Sequence, residues 1–264
     1  MAHRGTSVGS IPENSTGAVI AAVRSGADVV EIDVTGSRDG AFFVHHDGVE
    51  GQHLSTHTNL ALLTEAEIES VSHRWLDQPD RPVRLERLAA LLEPFAHTEV
   101  LFQIDRSWPW WPDVLHVLAS LHMTQQLIVK CPAAMRDAVD ALATLPVKMP
   151  YVAMCRTLAE TELHLENPDL NLIGVEVMFT GSDSPFVQPE TIARLHDQGL
   201  TVWVNTLVLP NGVPLAGEYD DERALYEGPD AAWGPLLDLG IDVIQTDWPW
   251  LLAACRHERV ASRA

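Results

Sequence analysis

The sequence predicts a parallel α/β barrel of eight βα units, a TIM barrel, with a β-hairpin set into its first half. Three observations predict it. Strand-like and helix-like segments alternate from about residue 84 onward. The strand-like runs are almost continuously apolar, as in a parallel sheet covered on both faces. The 264 residues also match one such barrel, which runs to about 250 residues as a single unit. The whole chain, 1–264, is therefore expected to be one domain. A doubly wound open sheet is the alternative, because alternation alone does not show closure.

The elements follow in order. Only Met1 and Ala2 stand before His3, so the first strand is a stub, expected to be under-anchored and labile. The run Val29-Val30-Glu31-Ile32-Asp33-Val34 gives the second strand, over 28–34. Asp39-Gly40 between two β-prone runs is a strong hairpin signal, and 42–46 reads as the hairpin's return rather than a barrel stave. If Asp39 and Gly40 are the two loop residues, partner numbers sum to 79 and Asp33 faces His46; a bulge would shift this by one. Helices are expected at 84–96, 112–122, 133–144, 157–166, 189–198, 230–239 and 248–257. Strands are expected at 99–105, 127–131, 147–153, 172–178, 200–206 and 241–246. Segment 48–63 is polar and irregular and is expected to loop over the barrel mouth. Segment 207–229 is a second long loop, of a length that more often serves function than idles.

Composition excludes several function classes. A net charge of −20 opposes binding to nucleic acid and to anionic membranes, and its plainest role is solubility. No run approaches the roughly twenty apolar residues of a membrane helix, so no integral membrane association is expected. No charged-then-apolar leader is expected either. Cys131, Cys155 and Cys255 are few, odd in number and scattered, which suits reduced thiols in the cytoplasm. Nothing in the sequence sets the oligomeric state.

The chemistry concentrates in residues 31 to 46. Glu31 and Asp33 are two apart on a strand and so share a face. Two neighbouring anions in an apolar run repel each other and are costly to bury. A divalent cation makes the arrangement stable, and oxygen-only ligands favour a hard ion, Mg2+ or Ca2+.

The motifs His3-Arg4-Gly5, Pro12-Glu13-Asn14-Ser15, Gly26-Ala27-Asp28, Glu31-Ile32-Asp33-Val34, Asp39-Gly40 and His46-Asp47 stand in order within about fifty residues. Together they resemble the glycerophosphodiester phosphodiesterases. The run Gly240-Ile241-Asp242-Val243-Ile244-Gln245-Thr246-Asp247 is similar to that family's last barrel strand. The resemblance implies a phospholipase-C-like phosphodiesterase barrel, a hydrolase of lipid metabolism that acts on a small-molecule phosphodiester. Its products are an alcohol and sn-glycerol 3-phosphate. It implies His3 and His46 as general acid and base, without saying which is which. It also implies Arg4 as a phosphate contact, and Glu31 and Asp33 as metal ligands. Glycerol's own neighbouring hydroxyl would attack first, giving a cyclic phosphate that water opens.

The chain departs from the family on the third strand, where Glu-x-Lys is usual and Gln103 and Asp105 stand instead. Asp105 shares a face with Gln103 and can take the anionic role, so it is the expected third ligand, with Gln103 the alternative. Arg106 or Lys130 would replace the displaced lysine, with Lys130 the candidate phosphate contact; the other reading of Lys130 is a solvated strand-end lysine. Further candidates to line the site are Glu13, Glu176 and Asn205. Glu13 would pair with Arg4 or a histidine. Trp108 and Trp110 would either pack against the substrate's alcohol or cap the barrel. The remaining histidines, His53 and His73 among them, read as surface or loop residues. Two other functions compete: a lipid phosphodiesterase similar to sphingomyelinase D or phospholipase D, and a silent barrel that binds phosphorylated ligands. Gln103 is the main support for the last.

Overall fold

The computed structural model describes residues 1–6, 11–74 and 80–263. Its strands are β1 (Val29–Gly36), β2 (Phe42–Val44), β3 (Ser72–His73), β4 (Val83–Arg84), β5 (Leu101–Asp105), β6 (Leu127–Pro132), β7 (Pro150–Cys155), β8 (Asn171–Val177), β9 (Thr201–Asn205) and β10 (Val243–Gln245). The main sheet runs β10-β9-β8-β7-β6-β5-β1-β2, and every pairing in it is parallel except β1 with β2. β3 and β4 form a separate antiparallel pair.

The stub before His3 closes the ring. Ala2 bridges Val30 on one side and Thr246 on the other, both in parallel sense. Ala2 N donates to Val29 O at 2.9 Å, Glu31 N to Ala2 O at 2.8 Å, and His3 N to Thr246 O at 3.2 Å. The stub and seven longer strands therefore make eight parallel staves, and the open-sheet alternative is out.

Each stave alternates its side chains between two destinations. Val30, Ile32, Phe102, Ile104, Val129, Ala153, Val175, Val202 and Ile244 point outward and pack with the helices into the large core. Val29, Ile128, Val152 and Trp203 point inward, with Met1, and form an apolar floor joined by Leu101, Ile173 and Val243. Farther along the same inward faces stand Glu31, Asp33, Gln103, Asp105, Lys130, Glu176, Asn205 and Gln245. All are buried except Asp105, which is half-buried. The barrel is thus plugged below and polar above.

Helices lie where alternation placed them, among them Leu88–Leu92, Asp113–Ser120, Arg136–Ala143, Leu158–Glu162, Pro189–Asp197, Pro229–Leu239 and Pro249–Arg263. Helix Thr16–Arg24 was not expected. Ser15 caps it by accepting from Ala18 N at 3.2 Å. Gly5 presses on this helix, where a Cβ would come within 2.7 Å of Ala18, and it takes φ +76°. That explains the glycine of His3-Arg4-Gly5.

Three expectations need correction. The hairpin register pairs Val34 with Val44 and Gly36 with Phe42, so partner numbers sum to 78. The loop has three residues, closed by Ser37 N donating to Ala41 O at 2.7 Å, with Gly40 at φ 90°. His45, not His46, therefore comes level with Asp33, donating from its backbone N to Asp33 O at 3.1 Å. Segment 48–63 is more than a loop: it holds helix Glu50–His53 and a turn of 3-10 helix at Leu60–Leu62. With Phe43, Leu54, Leu60, Ile68, Val71 and Leu85 it builds a small core of its own. Segment 207–229 contains helix Asp221–Tyr226.

Candidate functional site at the barrel rim

Strand register assembles the acids. Glu31 lies beside Gln103 and Asp33 beside Asp105 on neighbouring staves. One carboxylate oxygen from each of Glu31, Asp33 and Asp105 lies within 4.8 Å of the others. Asp105 is thus the third member of the cluster. Gln103 sits two residues earlier on the same face, fully buried, with neither amide atom partnered among the described residues.

Main-chain and side-chain donors hold this cluster from its edges. Arg4 N donates to Glu31 Oε2 at 2.7 Å, and Arg106 N to Asp105 Oδ1 at 2.6 Å. Asn14 grips Asp33 twice: its Nδ2 donates to Asp33 Oδ2 at 3.0 Å, and its Oδ1 accepts from Asp33 N at 2.9 Å. Arg4, Asn14 and Arg106 all take φ 52°, a left-handed conformation that side chains other than glycine seldom adopt. Such conformations gather where the surroundings enforce them.

Two cations face the acids. Arg4 Nε lies 3.1 Å from Asp33 Oδ2 and its Nη1 2.8 Å from Glu13 Oε1. Glu13 also lies 3.5 Å from His53 Nδ1, so it pairs with both of the partners expected for it. Lys130 is not a solvated lysine. It is 1% exposed, with Nζ 2.8 Å from Asp105 Oδ2 and 3.0 Å from Glu176 Oε2. Burial works against its charge, but Asp105, Glu176 and Glu31 outweigh it and hold the ammonium above its ordinary value. Burial likewise opposes ionisation of Asp105, yet Lys130 keeps that carboxyl below the usual range.

Glu31 is only partly compensated, by Arg4 N and Lys130. Burial, then Asp33 and Asp105, push its carboxyl well above the usual range. Its Oε1 is buried and has no partner among the described residues. Three convergent carboxylates, one with an orphaned oxygen, fit a hard divalent cation, which would complete Glu31 and offset the repulsion.

The two candidate histidines are oriented alike. His3 Nδ1 lies 2.8 Å from Asp247 Oδ1, and His46 Nδ1 2.8 Å from Asp47 O. Carboxylate and carbonyl oxygens only accept, so Nδ1 carries the proton in both rings and Nε2 is left for other chemistry. His3 adjoins the cluster through Arg4. His46 adjoins it through His45 on one side. On the other side is Asp47, whose Oδ1 lies 2.7 Å from Arg106 Nε.

Asp247 is itself held. Asp221 Oδ2 accepts from Asp247 N at 2.8 Å, while Asp221 Oδ1 accepts from Thr206 and Thr246 hydroxyls at 2.6 and 2.9 Å. Burial raises the Asp221 carboxyl to about 6 despite these donors. Neither Asn14 nor Asp221 was singled out from sequence. Asn14 lies inside Pro12-Glu13-Asn14-Ser15, a motif that carried a signal, whereas nothing local marks Asp221.

The other candidates divide. Glu176 anchors Lys130. Asn205 is inward but spends its Oδ1 on Leu207 N at 3.0 Å. Trp108 and Trp110 occupy a 3-10 turn leaving β5, half-buried at the mouth. His73, expected at the surface, is 6% exposed; burial and then His53 lower its imidazole to about 4. His45 is fully buried, and burial lowers it to about 3.

The DUF4996 family model, a domain of unknown function, matches residues 148–255. A curated relative, glycerophosphodiester phosphodiesterase GDPD6 of Arabidopsis thaliana, is 43% identical over 47 residues. That match spans 18% of this chain and only 12% of the plant protein. Solved structures match far more of the chain. A glycerophosphodiester phosphodiesterase from Agrobacterium tumefaciens is 20% identical with TM-score 0.68, covering 97% of both chains. A glycerophosphoryl diester phosphodiesterase from Parabacteroides distasonis is 17% identical with TM-score 0.73, covering 98% of this chain and 85% of that one. A phosphodiesterase from Oleispira antarctica, in complex with the product sn-glycerol-3-phosphate, is 18% identical with TM-score 0.69, covering 97% and 95%. Over almost its whole length, this chain has the fold of the glycerophosphodiester phosphodiesterases.

Proposed function

We propose that the chain is a single-domain, metal-dependent hydrolase that cleaves glycerophosphodiesters to an alcohol and sn-glycerol 3-phosphate. One observation carries the proposal: Glu31, Asp33 and Asp105 bring carboxylate oxygens within 4.8 Å of one another, and Glu31 keeps a buried oxygen without a partner among the described residues. The product named for the Oleispira antarctica structure supports the substrate class. Reduced, buried cysteines suit a cytoplasmic setting.

Glu31, Asp33 and Asp105 would hold Mg2+ or Ca2+, which neutralises charge on the phosphoryl oxygens. Arg4 offers a forked donor to a phosphate oxygen, and Lys130 supplies positive charge from below, kept ionised by Asp105 and Glu176. One histidine accepts, through Nε2, the proton of the glycerol hydroxyl that attacks phosphorus. The other donates a proton to the departing alkoxide as its bond to phosphorus breaks. The resulting cyclic phosphate is opened by water with the two roles exchanged. Asp247 fixes the ring of His3, and the carbonyl of Asp47 fixes that of His46.

The test is a cation-supplemented assay on glycerophosphocholine with His3→Ala and His46→Ala as controls. Release of choline and sn-glycerol 3-phosphate, lost in both variants, supports the reading. Turnover of lysolipid or sphingomyelin instead would assign a lipid phosphodiesterase, and binding without turnover a silent barrel.

A further inference from the structure

A cavity of ≈ 110 Å³ opens beside the acidic cluster, lined by Thr35, Asp47, Asn59, Arg106, Trp108 and Trp110 among others. Its position follows from the staves. Thr35 is two residues beyond Asp33 on the same inward face of β1, about 7 Å along the strand. Arg106 follows Asp105, and Asp47 follows His46. A molecule whose phosphate lay beside His46, at a cation held by Asp33 and Asp105, would extend its next group into this space.

The lining has an unusual feature. Thr35 is 1% exposed, and its Oγ1 has no hydrogen-bond partner among the described residues. Buried hydroxyls are nearly always paired, so an unpaired one at a cavity wall marks a place that a ligand hydroxyl completes. Asn59 spends its side-chain carbonyl on Ala61 N at 2.9 Å, so what it offers a ligand is its NH2. The indoles supply flat apolar walls. Trp110 rests on Gly36, where a Cβ would come within 2.7 Å of the ring, and meets Phe42 edge-on at 6.4 Å. These contacts hold the wall rigid.

Charge decides which alcohol fits. Two indoles attract a cation, but the Arg106 guanidinium is fixed in the same wall by Asp47, with Nε and Nη2 each 2.7 Å from Oδ1. Arg106 and Asp47 cancel, which leaves no net negative charge for an ammonium group. Hydroxyl, amide and ring faces suit an uncharged polyol, whose C–H side lies on indole while its hydroxyls bond the rim.

We propose that this cavity is the subsite for the leaving alcohol and that it selects uncharged polyhydroxy alcohols over cationic amino alcohols. This rests on the diesterase reading above. Four substrates with a common glycerol phosphate half test it: glycerophosphoglycerol and glycerophosphoinositol against glycerophosphocholine and glycerophosphoethanolamine. The unmodified protein is expected to favour the first two in kcat/KM by tenfold or more. Thr35→Val keeps the shape and removes the hydroxyl, so the ratio should fall about tenfold, the loss of one hydrogen bond. Gly36→Ala, which pushes Trp110 away, should lower the same ratio mainly through KM. A preference for the cationic esters, or an equal loss on all four substrates, overturns the subsite. If no diester is cleaved with cation present, the diesterase reading fails, and binding still decides the pocket. Free glycerol or inositol should then shift tryptophan fluorescence saturably, and Thr35→Val or Trp110→Phe should abolish the shift. No saturable shift in the unmodified protein refutes the subsite.

Discussion

The floor and the rim of the barrel interior are built from the same strands, yet they obey opposite rules. On β1, Val29 belongs to the floor and Glu31 and Asp33 to the rim; on β6, Ile128 belongs to the floor and Lys130 to the rim. Floor side chains are apolar and interlocked, and the indole N–H of Trp203 is satisfied by Thr201 Oγ1 at 2.8 Å. Rim side chains carry the unmet polarity: Glu31 Oε1, both amide atoms of Gln103 and Gln245 Oε1 lack partners among the described residues. The left-handed residues Arg4, Asn14 and Arg106 gather at the rim as well. One or two steps along a strand thus separate groups that stabilise the fold from groups held at its expense for chemistry. Substitutions in the two layers should separate in the same way.

The rim should dominate activity. His3→Ala and His46→Ala are each expected to lower kcat by 10²–10⁴, the usual worth of a positioned general acid or base, which is about 3–5 kcal/mol on the barrier. Both should leave unfolding free energy within about 0.5 kcal/mol, because neither side chain belongs to a packed core. Measuring kcat beside a urea titration checks both halves of the expectation. A large stability loss in either variant would blur the two layers.

The floor should show the converse. Ile128→Ala removes buried methyl groups from a packed layer and should cost about 2–5 kcal/mol of stability, the usual range for such a truncation in a core. Turnover per folded molecule should stay within about threefold, since Ile128 packs within the apolar floor. Activity lost without destabilisation would mean that the floor positions the rim more tightly than the comparison allows.

How much of this was legible in sequence depends on the range of the interaction. Glu31 and Asp33 announce themselves because a strand's period of two is local. The staves and most helices were legible for the same reason, since apolar periodicity is written within a dozen residues. The hairpin register was not, because Asp39-Gly40 suits both a two-residue and a three-residue loop. Only the closure of Ser37 on Ala41 chose between them and brought His45 level with Asp33. Lys130 read as either a phosphate contact or a solvated strand end, because its two acid partners come from other staves, Asp105 from the next and Glu176 from two away. Asp221 reads as one more acid in an acidic loop, because what distinguishes it is contact with Thr206, Thr246 and Asp247 at the ends of two adjacent staves.

Asp221 gives a test of the second half of the rim, where neutral groups and one buried acid orient rather than react. Its carboxyl rises from an ordinary value near 3.8 to about 6 in the folded protein. The folded state therefore holds this proton more tightly than the unfolded chain does. The resulting stabilisation is complete below about pH 4 and is lost as pH rises through about 6, roughly 3 kcal/mol in all. Asp221→Asn should flatten the stability profile between pH 4 and 6 relative to the unmodified protein. Denaturant titrations at several pH values measure the slope, which does not depend on any constant cost of the substitution. An unchanged slope would show that Asp221 is not the buried acid the geometry makes it.

The smallest expected effect bears most directly on the acids. Glu31 ionises with difficulty in the folded state, held back by burial and by Asp33 and Asp105. Its folded value is raised, so the associated stabilisation is present at low pH and is lost as pH climbs through that value. At neutral pH without divalent cations, Glu31→Gln should therefore match or exceed the unmodified protein in stability, since it removes a repelled charge from a buried site. With a cation the order should reverse. A ligand at a hundred times its Kd stabilises by about 2.7 kcal/mol, and Glu31→Gln forfeits most of that because it withdraws one of three anionic ligands. Thermal unfolding of both proteins, with chelator and then with Mg2+ or Ca2+, gives four melting temperatures that must cross if Glu31 is a ligand. Parallel shifts in the two proteins would place the cation elsewhere and leave the rim's partly compensated carboxylate without the partner its geometry calls for.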